Sequence, residues 1–395
     1  MYLIEWQMWM LLIDRAHSTD PKAKNSKSAS QLVYASDEEK DVQAARQKAS
    51  SRPKMRGPVY KYSDHILEAR AGASEDKRGL ISILSTMVIA LIILGTVATA
   101  HYATELISSI ANVDSTIDGH ALFLVTFFLA LTSCYTAAYL KYGLKITRLE
   151  MFTSRHLLVR FNRLTGQVHL HRPLYCGGVV TLPWHGITSS AAPGGNGGAL
   201  TLSLFWSSQT TKMLYPEIVW IGKVSTNPHE IQAEWEFIRR FMDEGPEGLP
   251  RPRITSHFPW PWQAFTPQFE GLSHYFRHSS QIIKLGLVLI SPAFLIIGLG
   301  HWLSLLLCWK PRWPKIIREA GLPGKPIPPL TTLADRPPHI QERLRENAHL
   351  WAIRPGQRPA KKPRATRRRA KPGNQSTTDK ESSTDETHRA DRPQT

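Results

Sequence analysis

The sequence predicts an α+β membrane protein, and three observations carry the prediction. Two uncharged apolar runs, Leu80 to Ala100 and Ala121 to Leu140, stand close together. Each is about twenty residues, enough for an α-helix to cross roughly 30 Å of hydrocarbon. After Gly143 the apolar residues alternate with polar ones, as half-buried strands require, and that stretch closes on a segment of helical period.

Residues 1–58 read as an arm. Met1 to Ile13 (MYLIEWQMWMLLI) is apolar and tryptophan-rich but too short to span, and it lacks the features of a signal peptide. Leu3, Trp6, Met10 and Ile13 would line one helical face, which suits a helix lying in the membrane interface. Ser18 to Arg56 is polar and rich in Lys, Ser and Ala, so disorder is expected there. The alternative is an over-extended translation start, with Met55 as a later one.

Residues 80–140 form the predicted transmembrane hairpin. Its connection, His101 to His120, holds Glu105, Asp114 and Asp118 and no Lys or Arg, whereas Lys77, Arg78, Lys141, Lys145 and Arg148 flank the hairpin. Basic flanks stay cytoplasmic. The expected location is therefore a bacterial inner membrane, with Asp114 outside and the bulk of the chain, Gly195 and Thr395 included, inside. Ala130, Cys134 and Ala138 on one helix, and Ser82, Thr86, Gly95 and Thr96 on the other, are small enough for close approach.

Residues 143–245 are expected to form a cytoplasmic β domain. In FNRLTGQVHLHR, Phe161 and Val168 flank a turn at Arg163-Leu164-Thr165-Gly166, where Gly166 can take the positive φ of a short hairpin. Apolar runs follow at Gly178–Leu182, Leu200–Trp206 and Glu217–Ile221. A helix over 227–243 then starts at a Thr226 or Asn227 cap and buries Ile231, Trp235, Ile238 and Met242. Antiparallel strands followed by one amphipathic helix is the order of a pleckstrin-homology-like barrel. A plain sheet with one covering helix is the other architecture of that order.

Residues 282–309 are long enough to cross once, yet both ends are basic: Arg277 and Lys284 before, Lys310, Arg312, Lys315 and Arg318 after. Pro292, Gly298 and Gly300 interrupt the run, where a re-entrant turn or two short interfacial helices could form, so re-entry is expected, with a third crossing as the alternative. Trp260, Trp262, Trp309 and Trp313 are expected as interface anchors. Residues 316–351 hold one short helix near Pro338–Trp351, with Ile340, Leu344 and Ala348 on one side. Residues 352–395 are an expected disordered polybasic tail.

Chemistry-bearing motifs are sparse. His169 and His171 share a strand face near Cys176 and His185, but no zinc spacing is present, and solvent-facing histidines are expected. Gly194 to Gly198 lacks the Lys-Ser/Thr pair of a phosphate loop and reads as a flexible connection. His229-Glu230 is followed by Ala233, so the two-histidine zinc-protease pattern fails. The three cysteines imply no disulfide framework. No catalytic residue, metal or cofactor is predicted. The net charge of +17 fits attraction to an anionic inner leaflet at least as well as nucleic acid, and nucleic acid is not the expected partner. Candidate headgroup contacts are Arg160, Arg163 and Arg172 on the strands and Lys361, Lys362, Arg367, Arg368 and Arg369 in the tail.

The hairpin, the FNRLTGQVHLHR strand pair, the later PWHGI (Pro183 to Ile187) and the PRWPKII exit (Pro311 to Ile317) together resemble an uncharacterised family of proteobacterial inner-membrane proteins, over roughly Tyr60 to Leu322. Members tend to be encoded among type VI secretion and toxin genes. The resemblance implies an accessory or immunity protein that binds a toxin or secretion component and carries no known active site. An anionic-lipid sensor and a membrane-bound lipid-modifying enzyme are the alternatives.

Overall fold

The computed structural model describes residues 3–14, 38–72, 78–111, 119–191, 201–225, 227–269 and 279–346. The loop at Gly194–Gly198, Asp114, Arg277 and the polybasic tail lie outside them.

Eight antiparallel strands form one sheet: β1 (Val59–Tyr62), β2 (Ile66–Ala71), β3 (Leu157–Asn162), β4 (Gln167–His171), β5 (Val179–Pro183), β6 (Ile187–Ser189), β7 (Leu202–Trp206) and β8 (Glu217–Ile221). The order is β5-β4-β3-β2-β8-β7-β6, with β1 added on β2. Two meanders, β2–β5 and β6–β8, meet at the single pair Ala71↔Ile221. The predicted hairpin is present, with Asn162 opposite Gln167 and Gly166 at φ 61°. The domain boundary is corrected, because β2 pairs with β3 along its whole length, from Ile66↔Asn162 to Ala71↔Leu157. The sheet therefore begins before the apolar hairpin, which is inserted between two neighbouring strands.

The sheet's inner face, with Leu67, Val159, Phe161, Val168, Leu182 and Trp206, packs on Trp235, Ile238 and Phe241 of the closing helix (Pro228–Asp243). Asn227 caps that helix, its Oδ1 accepting from His229 N at 3.0 Å. The helix is buried on more than its apolar stripe because residues 38–58 wrap its back. Ala49 N donates to Glu236 at 2.9 Å, Trp235 Nε1 donates to Ala45 O at 3.2 Å, and Arg46 pairs with Asp243 at 2.7 Å. Disorder was the expectation there; partners nearly two hundred residues away hold the segment instead. The first helix (Leu3–Asp14) is likewise docked on the sheet domain and not laid in an interface. Its Trp9 is buried edge-on against Tyr215, ring centroids 5.5 Å apart.

Three helices are long and apolar enough to cross a membrane: Leu80–Ala111, Gly119–Thr147 and Gln281–Leu307, with mean hydropathy 2.6, 1.8 and 2.4. Numbering helices in chain order, α1 is Leu3–Asp14, α2 Glu38–Arg46, α3 Leu80–Ala111, α4 Gly119–Thr147, α5 Pro228–Asp243, α6 Pro261–Phe269, α7 Gln281–Leu307 and α8 Pro338–Glu346. α3 and α4 touch at Gly95, where a Cβ would lie 2.3 Å from Thr132 Oγ1. Ala130, Cys134 and Ala138, expected at this contact, face outward.

The expected re-entrant turn is not formed, since α7 runs unbroken through Pro292, Gly298 and Gly300. Proline leaves the carbonyl four residues earlier without its N–H, and Ser291 Oγ donates to that carbonyl, Val288 O, at 2.7 Å. The glycines are contact points. A Cβ on Gly298 would lie 2.5 Å from Phe265, and one on Gly300 would lie 2.5 Å from Ile83 and 2.6 Å from Gly79 O. α6 lies antiparallel along α7: Trp302 Nε1 donates to Pro259 O at 3.0 Å, and Phe269 meets Phe294 at 6.0 Å. The chain thus leaves the sheet beside α7 and comes back along it. Gly79, Thr147 and Leu307 all end at the sheet, so a crossing by α7 leaves the basic segment after it on the sheet side.

Candidate functional site

Where the three helices reach the sheet, a buried polar junction locks them to it. Arg78, fully buried just before α3, donates to Ser304 Oγ at 2.7 Å, Arg155 O at 2.6 Å and Glu150 O at 3.1 Å. The Glu150 carboxylate accepts from Gly79 N at 3.1 Å and from Ser82 N and Oγ at 2.9 Å each, capping the unsatisfied start of α3. Arg155 does the converse at the end of α7, donating to Leu305 O and Cys308 O at 2.8 Å, and to His257 O at 2.7 Å. One guanidinium and one carboxylate thus supply what the two helix ends lack.

From Trp309 the chain runs as a strap across the outer face of β3–β5. Trp313 Nε1 and the Arg160 guanidinium both donate to Glu68 Oε2, at 2.9 Å and 2.7 Å, with Arg160 stacked 4.8 Å over the Trp313 ring. Further on, Asn162 Nδ2 donates to Ala320 O at 3.0 Å, Gln167 Nε2 to Pro328 O at 2.8 Å, and Thr331 N to Thr181 O at 3.0 Å. Residues 316–346 are therefore cover for the sheet, and 347–351 lie outside the described residues. The histidines expected at a solvent face lie beneath this strap. His169 is buried against Thr181 at 3.1 Å, and burial, with Arg160 nearby, lowers its pKa to about 3. His171 Nε2 meets Arg312 O at 3.3 Å, and burial lowers its pKa too.

Between the strap and β1 an open cleft of about 590 Å³ remains, lined by Tyr60, Lys61, His257, Lys310, Arg312 and Arg318 over a floor of Glu68, Arg160 and Trp313. A second lobe of about 450 Å³ adds Ser154, His171 and Trp309, and shares Lys310 and Arg312. Tyr60 is stacked between His156 and His257, at 5.2 Å and 4.4 Å. Burial first and Lys310 second lower the His257 pKa. Lys61, Lys310, Arg312 and Arg318 are exposed, and none has a carboxylate partner among the described residues. The cleft's one carboxylate, Glu68, is already held by Arg160. Four cations around such a cleft raise the local potential and favour an anion.

The expected basic strand surface does not exist as such. Arg160 is buried on Glu68, and Arg172 is buried on Glu217 at 2.6 Å, a carboxylate that Arg336 and the Tyr215 hydroxyl also reach at 3.1 Å. Arg163 lies apart at the β3–β4 turn, its Nη2 near Glu244 O at 3.4 Å. Lys361, Lys362, Arg367, Arg368 and Arg369 lie outside the described residues. Of the expected anchors, Trp260 and Trp262 are exposed and stacked at 4.7 Å, and Trp309 is exposed, but Trp313 is buried as the pin of the strap. Cys176 is buried, and burial raises its pKa, while His185 is exposed. The described residues bring no three metal-ligating side chains together. Lys310 and Arg312 stand in the WKPRW run that reads from sequence as a helix-end anchor; Lys61 carries no local signal.

Residues 136–322 match a family of unknown function (DUF6708). The match takes in the end of α4, strands β3–β8, α5–α7 and the first part of the strap, and leaves out β1, β2 and α3. It supports an uncharacterised domain of this kind over that stretch. No curated protein and no solved structure matches the chain.

Proposed function

We propose that this chain is a non-enzymatic, multi-pass inner-membrane protein that holds a pleckstrin-homology-like module at the cytoplasmic face, where the module binds a partner. The observation that carries this reading is the Arg78–Glu150–Arg155 junction, which fixes the ends of α3, α4 and α7 to the sheet. A domain locked to the helices in this way presents its outer surfaces at a set height above the bilayer. Two meanders meeting at β2 and closed by α5 support the pleckstrin-homology-like architecture, and the basic flanks at the sheet end support the cytoplasmic side. The partner proposed from the sequence resemblance is a toxin or a secretion component, with the chain in an accessory or immunity role.

The test is cross-linking in cells, purification in mild detergent and mass spectrometry of what comes with the chain. A stoichiometric toxin or secretion protein is the expected result. Recovery of anionic lipid without any protein would replace this reading with lipid sensing, which the four unpaired cations of the cleft favour.

A further inference from the structure

Among the described residues, the cleft is where charge is assembled without being used. In the cleft's floor Arg160 is matched to Glu68, and elsewhere in the sheet domain Arg172 and Arg336 are matched to Glu217 and Arg239 to Glu236. Lys310 and Arg312 differ because their backbone is pinned while their side chains are free. Arg155 holds Cys308 O at 2.8 Å, the bridge Ser154↔Trp309 fixes the next residue, His171 meets Arg312 O, and Trp313 is anchored on Glu68. The cations are thus presented from a rigid ledge, which lowers the entropy cost of closing on a ligand. Lys61 faces them from β1, and Arg318 lies a helical turn beyond the ledge. The ledge begins two residues after α7 ends at Leu307, beside the exposed Trp309. On the membrane reading that is the depth of the lipid phosphates.

We infer that this cleft is a binding site for a phosphate group, held by Lys61, Lys310, Arg312 and Arg318. The inference rests on the proposed placement only for the source of the phosphate, a lipid headgroup or a soluble phosphate; the chemistry of recognition is the same for both. Guanidinium and ammonium donors around one anion give charge-assisted hydrogen bonds, stronger than neutral ones. Beneath them Arg160 and Glu68 neutralise one another, so the net positive charge of the cleft comes from the four exposed cations.

The experiment is calorimetric titration of the full chain in a zwitterionic or neutral detergent. Three probes are compared: water-soluble dihexanoyl phosphatidylglycerol, dihexanoyl phosphatidylcholine and inorganic phosphate. Binding of phosphatidylglycerol is expected, with little from phosphatidylcholine, and K310A/R312A should weaken it by about tenfold or more. Affinity should also fall as salt rises. Neither side chain makes a bond within the described residues, so the double variant should keep its melting temperature; K61A gives an independent second reading with a smaller loss. Phosphate binding that equals phosphatidylglycerol and competes with it supports the site and assigns it to soluble phosphate. Titrations in which neither anion binds, or in which K310A/R312A binds as the parent does, overturn the inference. Because the titration is done in detergent, it reports on the cleft whichever way the chain lies in a membrane and whichever protein it partners.

Discussion

The junction and the cleft lie on either side of the same few residues, Arg155 to Arg160 and Cys308 to Trp313, and use the same chemistry to opposite ends. At the junction Arg78 and Glu150 are buried: Glu150 caps the start of α3, and Arg78 ties Ser304 of α7 to the backbone of Glu150 and Arg155. At the cleft, cations stand exposed with no carboxylate to hold. A buried guanidinium without partners costs several kcal/mol, so at the junction the partners are obligatory and the arginine is structural. An exposed one costs almost nothing, so the cleft can keep its charges for a ligand.

The largest effect expected from this contrast is at the junction. Replacing Arg78 by Met strands the buried Arg155 O and removes the guanidinium that links it to Ser304 and Glu150 O, and should cost about 3 kcal/mol or more. Thermal unfolding in detergent would show a fall of roughly 6–12 °C. A variant that melts with the parent would mean that the junction does not hold helices and sheet together.

Glu234 sharpens the comparison because it is a buried carboxylate with weak partners. Among the described residues its Oε1 accepts from Arg56 N and Gly57 N, both at 3.4 Å, and its Oε2 has no hydrogen-bond partner. Burial raises its pKa from the ordinary 4.5 to about 7, against the lowering pull of Arg56. The folded protein then keeps the proton through a range where the unfolded chain has lost it. The stability tied to that proton is complete below pH 4.5 and is lost as pH rises to about 7. Glu234→Gln should therefore be more stable than the parent above pH 7, by up to about 3 kcal/mol, with the gain gone at pH 4. Melting curves across that range test the sign; a constant difference would mean that Glu234 is ionised in the folded chain.

Within α7 two glycines give a matched pair. Gly300→Ala must move Ile83 or the Gly79 carbonyl and should cost about 1–3 kcal/mol. Gly286 has nothing within 4 Å of an added Cβ, so Gly286→Ala should be neutral or favourable by up to about 1 kcal/mol. Equal effects would count against the packing of α7 on α3. The smallest effect is at the cleft, where Lys310→Ala should leave stability within about 0.5 kcal/mol. A larger loss would give Lys310 the structural role assigned here to Arg78.

What could be read from the residues divides along the same line. The apolar runs, the Gly166 turn and the period of α5 are local signals, and the elements they predict are present. β1 and β2 are hard to read because they are short and their partner β3 lies beyond the apolar hairpin; Leu67, Ala69 and Ala71 do alternate with Glu68 and Arg70, but nothing nearby in the chain pairs with them. Residues 38–58 read as disordered because their stabilising contacts lie on α5, far along the chain. Pro292 and Gly300 looked like breaks because a sequence does not display Ser291 satisfying a freed carbonyl, or Ile83 packed where a side chain would be. The candidate site was half legible. Lys310 and Arg312 were visible as a basic cluster, but Arg160, chosen for its charge, proved to be the floor, and Lys61 joins only through the β1 pairing.

The central claim is that helices and sheet form one unit with every tail of the helical layer on the sheet side. On that account Ser280 stands about 30 Å from Gly300 along α7, on the same side of the layer as the far ends of α3 and α4. Single cysteines at Ala111, Ser280, Gly248 and Lys325, with Cys134 replaced by Ser, would be probed in intact spheroplasts with a membrane-impermeant maleimide. The account predicts labelling at Ala111 and Ser280, and labelling at Gly248 and Lys325 only after permeabilisation. Labelling of Lys325 in intact spheroplasts, or protection of Ser280 alongside labelled Ala111, would contradict it.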